Sequence, residues 1–244
     1  EQIGVLMEGH GRTTLQAELD LSRTAGWFTN VWPTVFKITS GLAGLDQLAA
    51  VKDTAREAAA RGFDYSVLRY VDNSAAGAEL RARAEPDLVF NYLGDFDQPE
   101  SLLKPAQESV GPEVSPAHVI ASALELDALF AGGRLELRAT YRQDRLSSAR
   151  VEKILSATLT EAEKLLAACR AVETRLVTAS DLSGQPLSAE DFARFKQDNN
   201  FADADIEDVY VLTPAQEGML FHARLEPESG AYHEQLWFDL NGAL

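Results

Sequence analysis

The order of apolar and polar residues predicts a strand, a helix and a second strand in the first hundred or so residues. Ile3–Met7 is a short apolar run, which indicates a buried strand, and a Gly-His-Gly turn follows it. In Leu45–Arg61, apolar side chains recur every three to four residues, as on a helix with one buried face. Gly62 is placed to end that helix. Asp87–Leu93 (DLVFNYL) has the composition of a strand.

A predicted hairpin and a long helix follow. Val119–Phe130 and Arg134–Tyr141 alternate apolar and polar residues on either side of two glycines, as in an antiparallel pair joined by a tight turn. Ser147–Arg170 is the longest helical pattern, with its apolar side chains on one face. Strands and helices mixed in this order, with a hairpin among them, predict an α/β (α+β) sandwich.

The final part of the chain contains two helix starts and one more predicted strand. Ser188 precedes Asp191 by three residues, the spacing of a capping box, and Thr213-Pro214 supplies an N-cap followed by an N1 proline. Tyr232–Leu240 alternates apolar and polar residues, as a half-buried strand does. Its apolar face needs a cover, so we expect it either to dock on the sheet of the first part or to pair with a second copy.

The charge of the chain limits the classes of partner that we expect and indicates a domain boundary. The 244 residues include 38 Asp and Glu against 22 Lys and Arg, a net charge of −16. Nucleic acids and anionic membranes select for Lys and Arg, so we expect neither as a partner. Residues 171–244 carry 14 of the acidic residues and four of the basic ones, which indicates a boundary near residue 176.

The cysteine and histidine residues exclude an internal disulfide and give no indication of a metal site. The single cysteine, Cys169, cannot form an internal disulfide, so we expect a cytoplasmic protein. The four histidines have no metal-ligand spacing to one another, and no metal site is predicted. The sequence opens on Glu1 without an initiator methionine, and we interpret it as part of a longer chain.

The first segment with candidate chemistry is Glu8-Gly-His10-Gly-Arg12, at the end of the first predicted strand. Glycines on both sides of the histidine remove side-chain bulk, so that backbone or substrate can approach closely. A carboxylate beside such a loop is well placed for proton transfer. The alternative is a tight turn with a surface glutamate.

Two further segments combine aromatic and polar side chains. Arg23–Thr29 includes Trp27, and this cluster either lines a pocket or places its aromatic rings in the core. Phe90–Gly94 places Asn91 and Tyr92 on opposite faces of a strand. An asparagine can donate a hydrogen bond to a developing oxyanion, whereas its commoner use at a strand end is to satisfy backbone groups.

These segments, in this order, resemble the epimerization domain of nonribosomal peptide synthetases. The matching stretches cover about residues 1–170 and are EGHGR (Glu8–Arg12), DLSRTAGWFTNVWP (Asp20–Pro33), LRY (Leu68–Tyr70), FNYLGDFD (Phe90–Asp97) and LELRATY (Leu135–Tyr141). The following VTASDLS (Val177–Ser183) resembles the linker after such a domain. EDVYVLTPAQEGMLFHARLEPESGAYHEQLWFDL (Glu207–Leu240) is similar to the opening of the condensation domain that begins the next module.

The resemblance implies a chloramphenicol-acetyltransferase-like fold of two lobes with the active site between them. By that map, residues 1–175 are the C-terminal lobe, 176–206 the linker and 207–244 the N-terminal start of the condensation domain. The N-terminal lobe of the family carries an HHxxxDG motif, and this sequence contains no adjacent pair of histidines. We therefore expect the fragment to be inactive alone.

The reaction that the resemblance implies is inversion at Cα, from L to D, of an aminoacyl or peptidyl residue bound as a thioester. Glu8 matches the catalytic acid or base of the family, and Asn91 and Tyr92 match residues around its active site. The substrate-binding candidates from the same motifs are His10, Arg12, Trp27 and Thr29.

The resemblance also implies the partners. No cofactor is expected to bind directly, because the substrate would arrive on the phosphopantetheine arm of a peptidyl carrier protein. The other implied partners are the N-terminal lobe of the same domain and the downstream condensation domain. Two further functions stay open. One is a non-catalytic scaffold that docks the carrier protein and links it to the downstream domain. The other is a coenzyme-A-type acyltransferase lobe, which shares the fold but would need a histidine-centred site.

Overall fold

The chain forms two compact units, Glu1–Leu176 and Val177–Leu244. The computed structural model describes residues 1–12, 20–42, 44–97, 111, 115, 117–173, 175–183, 187–230, 232–239 and 242. We call the two units the first unit and the second unit.

A five-stranded mixed sheet is the centre of the first unit. Its strands are β1 (Gln2–Gly9), β2 (Asn30–Lys37), β3 (Leu88–Asp95), β4 (Leu124–Ala131) and β5 (Arg134–Tyr141), in the spatial order β2-β1-β3-β4-β5. β1 pairs antiparallel with β2 and parallel with β3, and β3 pairs parallel with β4. β4 and β5 form the predicted antiparallel hairpin. Its two turn glycines have φ of 60° and 71°, conformations that suit a two-residue hairpin turn.

The helices of the first unit are α1 (Gly44–Ala60), α2 (Gly62–Ser66), α3 (Ala75–Ala82) and α4 (Ser148–Ala171), with a π-helical turn at Val67–Val71. α4 begins where the sequence predicts, because the hydroxyl of its N-cap, Ser147, accepts the backbone N–H of Arg150. Among the described helices, none combines the length and the apolar composition that crossing a bilayer requires.

One face of the sheet packs on the helices and forms the core. Leu124 and Leu126 of β4 are buried against Val151 of α4, with Phe90 of β3 beside them. On the same face, Trp32 of β2 is buried against the start of α2. Burial of these large side chains supplies the main stabilisation of the sandwich. The opposite face, which we call the open face, carries Glu8 of β1, Asn91 of β3, and Glu125 and Asp127 of β4.

Hydrogen bonds fasten both ends of the connection between β3 and β4. At the start of the two strands, the backbone N–H of Leu124 donates to the carbonyl of Asp87 at 3.0 Å. Just after β3, the carboxylate of Asp97 accepts the N–H groups of Gly132 and Gly133 at 2.7 and 2.6 Å. The two strands are thus held in register by contacts outside the ladder itself.

α1 ends at Ala60, so Gly62 lies at the predicted position just past this helix. Gly62 does not adopt the left-handed conformation of a typical C′ glycine, however, and α2 starts at this residue. A Cβ atom at this position would lie 2.4 Å from the ring of Trp32, so glycine serves close helix-to-sheet packing here. β4 starts at Leu124 rather than at Val119, which is exposed and precedes the ladder.

The second unit has a small core of its own. Val177, Ala179, Phe192 and Ile206 are buried together, and Leu187 packs against them. Its helix α5 (Ala189–Asn199) begins at Ser188, whose hydroxyl accepts the N–H of Asp191 as the sequence predicts. Two short 3₁₀ turns, Ala179–Asp181 and Asp203–Asp205, complete this core.

The end of the second unit differs from its prediction. α6 (Pro214–Leu225) starts at the predicted N-cap, Thr213, with a reciprocal bond from Gln216. The predicted strand Tyr232–Leu240 is wrong over the described residues 232–239, which form no strand. Leu240 lies outside the described residues. An alternating sequence forms a strand only when a second strand takes up its backbone hydrogen bonds. Trp237 is 84% exposed.

Candidate active site

β1, β3 and β4 bring three polar residues together on the open face. The parallel register pairs Met7 with Phe90, so the residues that follow them, Glu8 and Asn91, are neighbours on the other face. Asn91 is in turn paired with Asp127 of β4. All three polar side chains are half-buried. The structure therefore places two of the predicted catalytic residues, Glu8 and Asn91, side by side.

The carboxyl group of Glu8 has unusual electrostatics. Desolvation by burial raises the pKa of Glu8 above its ordinary value, and the negative charges of Asp127 and Glu125 raise it further. A carboxyl group in this setting keeps its proton to a higher pH than a surface glutamate. It is thus better matched to proton transfer near neutral pH.

This raised pKa predicts a pH-dependent effect on stability. In the folded state Glu8 holds its proton more tightly than in the unfolded state, so the folded state loses stability as pH rises through the titration of Glu8. Glu8→Gln removes this loss. We expect the variant to melt at a higher temperature than the wild type at pH 7.5, and at about the same temperature near pH 3.5, where the carboxyl is protonated in both states.

Thermal unfolding followed by circular dichroism at the two pH values measures this difference. Glu152→Gln, at an exposed position of α4, is the matched control and should leave the melting temperature unchanged. An equal shift for Glu8→Gln at both pH values would contradict the electrostatic explanation.

Arg12 binds the segment just before β2, residues 21–28. Its guanidinium group donates to the carbonyl oxygens of Leu21 at 2.8 Å and Thr24 at 2.7 Å, and to that of Gly26 at 3.4 Å. It also lies over the ring of Phe28, 4.7 Å from the centroid. These contacts turn the predicted substrate-binding arginine toward the protein's own backbone.

The glycines of the EGHGR motif serve this same packing. Gly11 has φ of 63°, and a Cβ atom there would lie 1.4 Å from the carbonyl oxygen of Phe28. At Gly9, a Cβ atom would lie 2.6 Å from the ring of Trp32. His10 is exposed, and its Nδ1 accepts the N–H of Arg12 at 2.9 Å. The glycines thus permit the close approach of backbone and core rather than of a substrate.

The remaining predicted site residues are placed differently from one another. Trp27 is 97% exposed, so the alternative that it belongs to the core is wrong. Thr29 is also exposed and directly precedes β2. Tyr92 pairs with Ala128, which places it by strand alternation on the face opposite Glu8 and Asn91. The structure does not bring Tyr92 together with Glu8 on one face of the sheet.

Two acidic residues of β4 were missed by the sequence analysis. Asp127 and Glu125 occupy alternate positions of LELDALF, the positions that face away from the buried Leu124 and Leu126. Glu125 accepts a hydrogen bond from the hydroxyl of Ser122 at 2.8 Å. The alternation itself was a usable signal, but the pairing of β4 with β3 was not visible in it.

Within the part of the chain that the structure describes, no three His, Cys, Asp or Glu side chains are grouped so that they could hold a metal ion.

The sheet and its helices have the chloramphenicol-acetyltransferase-like fold of condensation and epimerization domains, as the resemblance implies. The crystal structure of the epimerization domain from the third module of tyrocidine synthetase B matches with a TM-score of 0.62 at 24% sequence identity. This match covers 70% of the present chain and 38% of that one.

Sequence comparison gives the family. The condensation domain family model matches residues 1–188, and the chain therefore belongs to the condensation domain family of nonribosomal peptide synthetases. It is 31% identical to a polypeptide of mycosubtilin synthase from Bacillus subtilis, over 100% of its length and 9% of that protein. It is 29% identical to bacitracin synthase 1 of Bacillus licheniformis over 99% of its length and 4% of that protein. The chain thus spans less than a tenth of these relatives.

Proposed function

We propose that residues 1–175 are the C-terminal lobe of an epimerization domain. Glu8 exchanges the Cα proton of an aminoacyl or peptidyl residue, which arrives as a thioester on the phosphopantetheine arm of a peptidyl carrier protein. The observation that supports this most is the half-buried carboxyl of Glu8, with its raised pKa, beside Asn91 on the open face.

The chemistry suits these groups. A thioester acidifies the neighbouring Cα–H, because loss of the proton gives an enolate whose charge lies on the oxygen. Glu8 takes or returns the proton on one side of Cα, and a residue of the N-terminal lobe acts on the other side. The amide of Asn91 donates to the enolate oxygen. Asp127, next to Asn91, favours the protonated form of Glu8.

The other parts of the chain complete the proposal. Residues 176–206 are the linker, folded around the core that Phe192 shares with Val177, and residues 207–244 are the start of the downstream condensation domain. Two facts support the second assignment. The family match ends at residue 188, while the mycosubtilin synthase match runs on through the whole chain. Large apolar side chains after residue 206, such as Phe221 and Trp237, are mostly exposed. The remainder of a condensation domain would cover them.

Peptide-bond formation is the second candidate, because the family model that matches the chain is that of condensation domains. In that reaction the proton leaves the amine of an acceptor residue rather than Cα. A scaffold without chemistry, which only docks the carrier protein, is the third.

One experiment separates these functions. The intact domain, with its N-terminal lobe, is incubated in D₂O with a donor carrier protein that bears an L-aminoacyl thioester and a second carrier protein that bears an acceptor aminoacyl thioester. The bound products are then released and analysed by chiral chromatography and mass spectrometry. We expect deuterium at Cα and a mixture of L and D isomers, and the same mixture from the D substrate. A peptide product without deuterium at Cα would support condensation. An unchanged L substrate would support the scaffold.

A further inference from the structure

An exposed tryptophan on a firmly held loop is the feature that the proposed function does not explain. Trp27 is 97% exposed, although an indole ring is among the side chains that gain most from burial. It is followed by Phe28 and preceded by Gly26, and both of these neighbours contact Arg12. A flexible segment could fold such a ring back onto the protein, but residues 21–28 are bound to the side chain of Arg12.

The side chain of Arg12 and the backbone of Gly11 hold residues 21–28 in place. Arg12 has donors on Nη1 and Nη2 that reach carbonyls of Leu21, Thr24 and Gly26, and its Cζ lies over the ring of Phe28. Gly11, in a left-handed conformation, lets the carbonyl of Phe28 come into contact with it. Only the planar fork of an arginine can combine several backbone hydrogen bonds with ring stacking.

This loop joins the strand pair at the end where Glu8 lies. Glu8 pairs with Val31, and Gly9 pairs with Asn30, directly after the loop. Trp27 is thus only four residues along the chain from Val31, the strand position that pairs with Glu8. In addition, the hydroxyl of Ser66 in α2 donates to Asn30, so this end of β2 is fixed from the helix side as well.

We infer that Arg12 is a positioning residue: it holds residues 20–29, which precede β2, so that Trp27 forms an apolar wall of the site, against which the side chain of the thioester-bound residue packs. This inference rests on the proposed function and assigns Arg12 a role behind the site rather than in contact with the substrate. It predicts that Arg12 and Trp27 act as one unit.

A double-mutant cycle tests the inference in the intact domain. We expect Arg12→Gln and Trp27→Ala each to lower kcat/KM for Cα proton exchange by about tenfold, and the double variant to lower it by about tenfold as well, not by about a hundredfold as independent sites would. Arg12→Lys should fall between the wild type and Arg12→Gln, since an ammonium group can reach a carbonyl but cannot also stack as a fork. Arg83→Gln, which removes an exposed ion pair with Glu79, is the control and should leave kcat/KM unchanged.

Two further readouts keep the test independent of turnover. Amide hydrogen exchange of residues 20–29, followed by mass spectrometry, should accelerate in Arg12→Gln and stay at the wild-type rate in Trp27→Ala and Arg83→Gln. The same cycle is measured on the Kd of the aminoacyl carrier protein. If the domain binds this substrate without exchanging its proton, the proposed function fails, whereas coupling in Kd would still support the inference.

Either of two results would overturn the inference. One is unchanged amide exchange of residues 20–29 in Arg12→Gln, which would mean that the arginine does not hold the loop. The other is additive effects of the two substitutions on both kcat/KM and Kd, which would mean that Arg12 contributes only to general stability.

Discussion

Glu8→Gln is expected to lower the rate of Cα proton exchange in the intact domain by about 10³-fold, the usual range for loss of a general acid or base. The amide has nearly the shape of the carboxyl group but cannot carry the proton. Its neighbours on the open face, Asn91 and Asp127, should keep their places, because they are held by the pairing of β3 with β4. Deuterium incorporation into the carrier-bound thioester, followed over time by mass spectrometry, measures the rate.

The controls separate chemistry from folding. Glu152→Gln makes the same chemical change at an exposed position of α4 and should keep the wild-type rate. Glu8→Asp keeps a carboxyl group but withdraws it by one methylene, so an intermediate rate is expected. Since Glu8→Gln should stabilise the fold at neutral pH, unfolding cannot account for its loss of activity. Exchange at the wild-type rate in Glu8→Gln would remove Glu8 from the mechanism.

In the second unit, Phe192→Ala should have the largest effect on stability. Phe192 is 3% exposed and packs in a cluster whose other buried members are Val177, Ala179 and Ile206. Truncating a buried phenylalanine costs about 3–5 kcal/mol, and so small a core has little with which to offset this loss. We expect residues 177–206 to unfold locally, and amide hydrogen exchange across these residues to approach the rate of an unstructured peptide.

Phe221→Ala is the matched control for this prediction. Phe221 lies on α6 and is 61% exposed, so its truncation should change the free energy of unfolding by less than about 0.5 kcal/mol. Residues 1–176 form a separate compact unit and should keep their exchange rates in both variants. Protection of residues 177–206 that survives Phe192→Ala would show that the cluster does not hold this segment together.

Elements defined by local signals were predictable from the sequence. The N-caps Ser188 and Thr213 lie where the sequence places them, and so do the hairpin turn at its two glycines and the long helix α4. Each depends on interactions between residues a few positions apart, which a sequence displays directly.

Features that depend on distant residues were not predictable. The acidic neighbours of Glu8 lie on β4, which follows β1 by more than a hundred residues and comes close only through β3. Likewise, nothing local indicates that Gly62 must make room for Trp32. The alternation in residues 232–239 resembles that of a strand, but the residues that would complete a ladder have to come from elsewhere.

The central residues of the candidate site could be predicted from the sequence, but their arrangement on the sheet could not. Glu8 and Asn91 were selected from their motifs, and the register makes them neighbours. Tyr92 was selected with them, although alternation along β3 turns it to the other face. Arg12 was selected as a ligand of the substrate, because a motif shows that a charged side chain is present but not which acceptors it reaches.

The fastening of the β3–β4 connection bears on how this domain can change over time. The carbonyl of Asp87 accepts a hydrogen bond at the start of β3 and β4, and the carboxylate of Asp97 accepts two from the turn of the β4–β5 hairpin. Strand alignment near Asn91 therefore does not rely on the peptide that links the two anchors. A change in the length of the peptide between Asp97 and Leu124 should therefore leave Asn91 paired with Asp127.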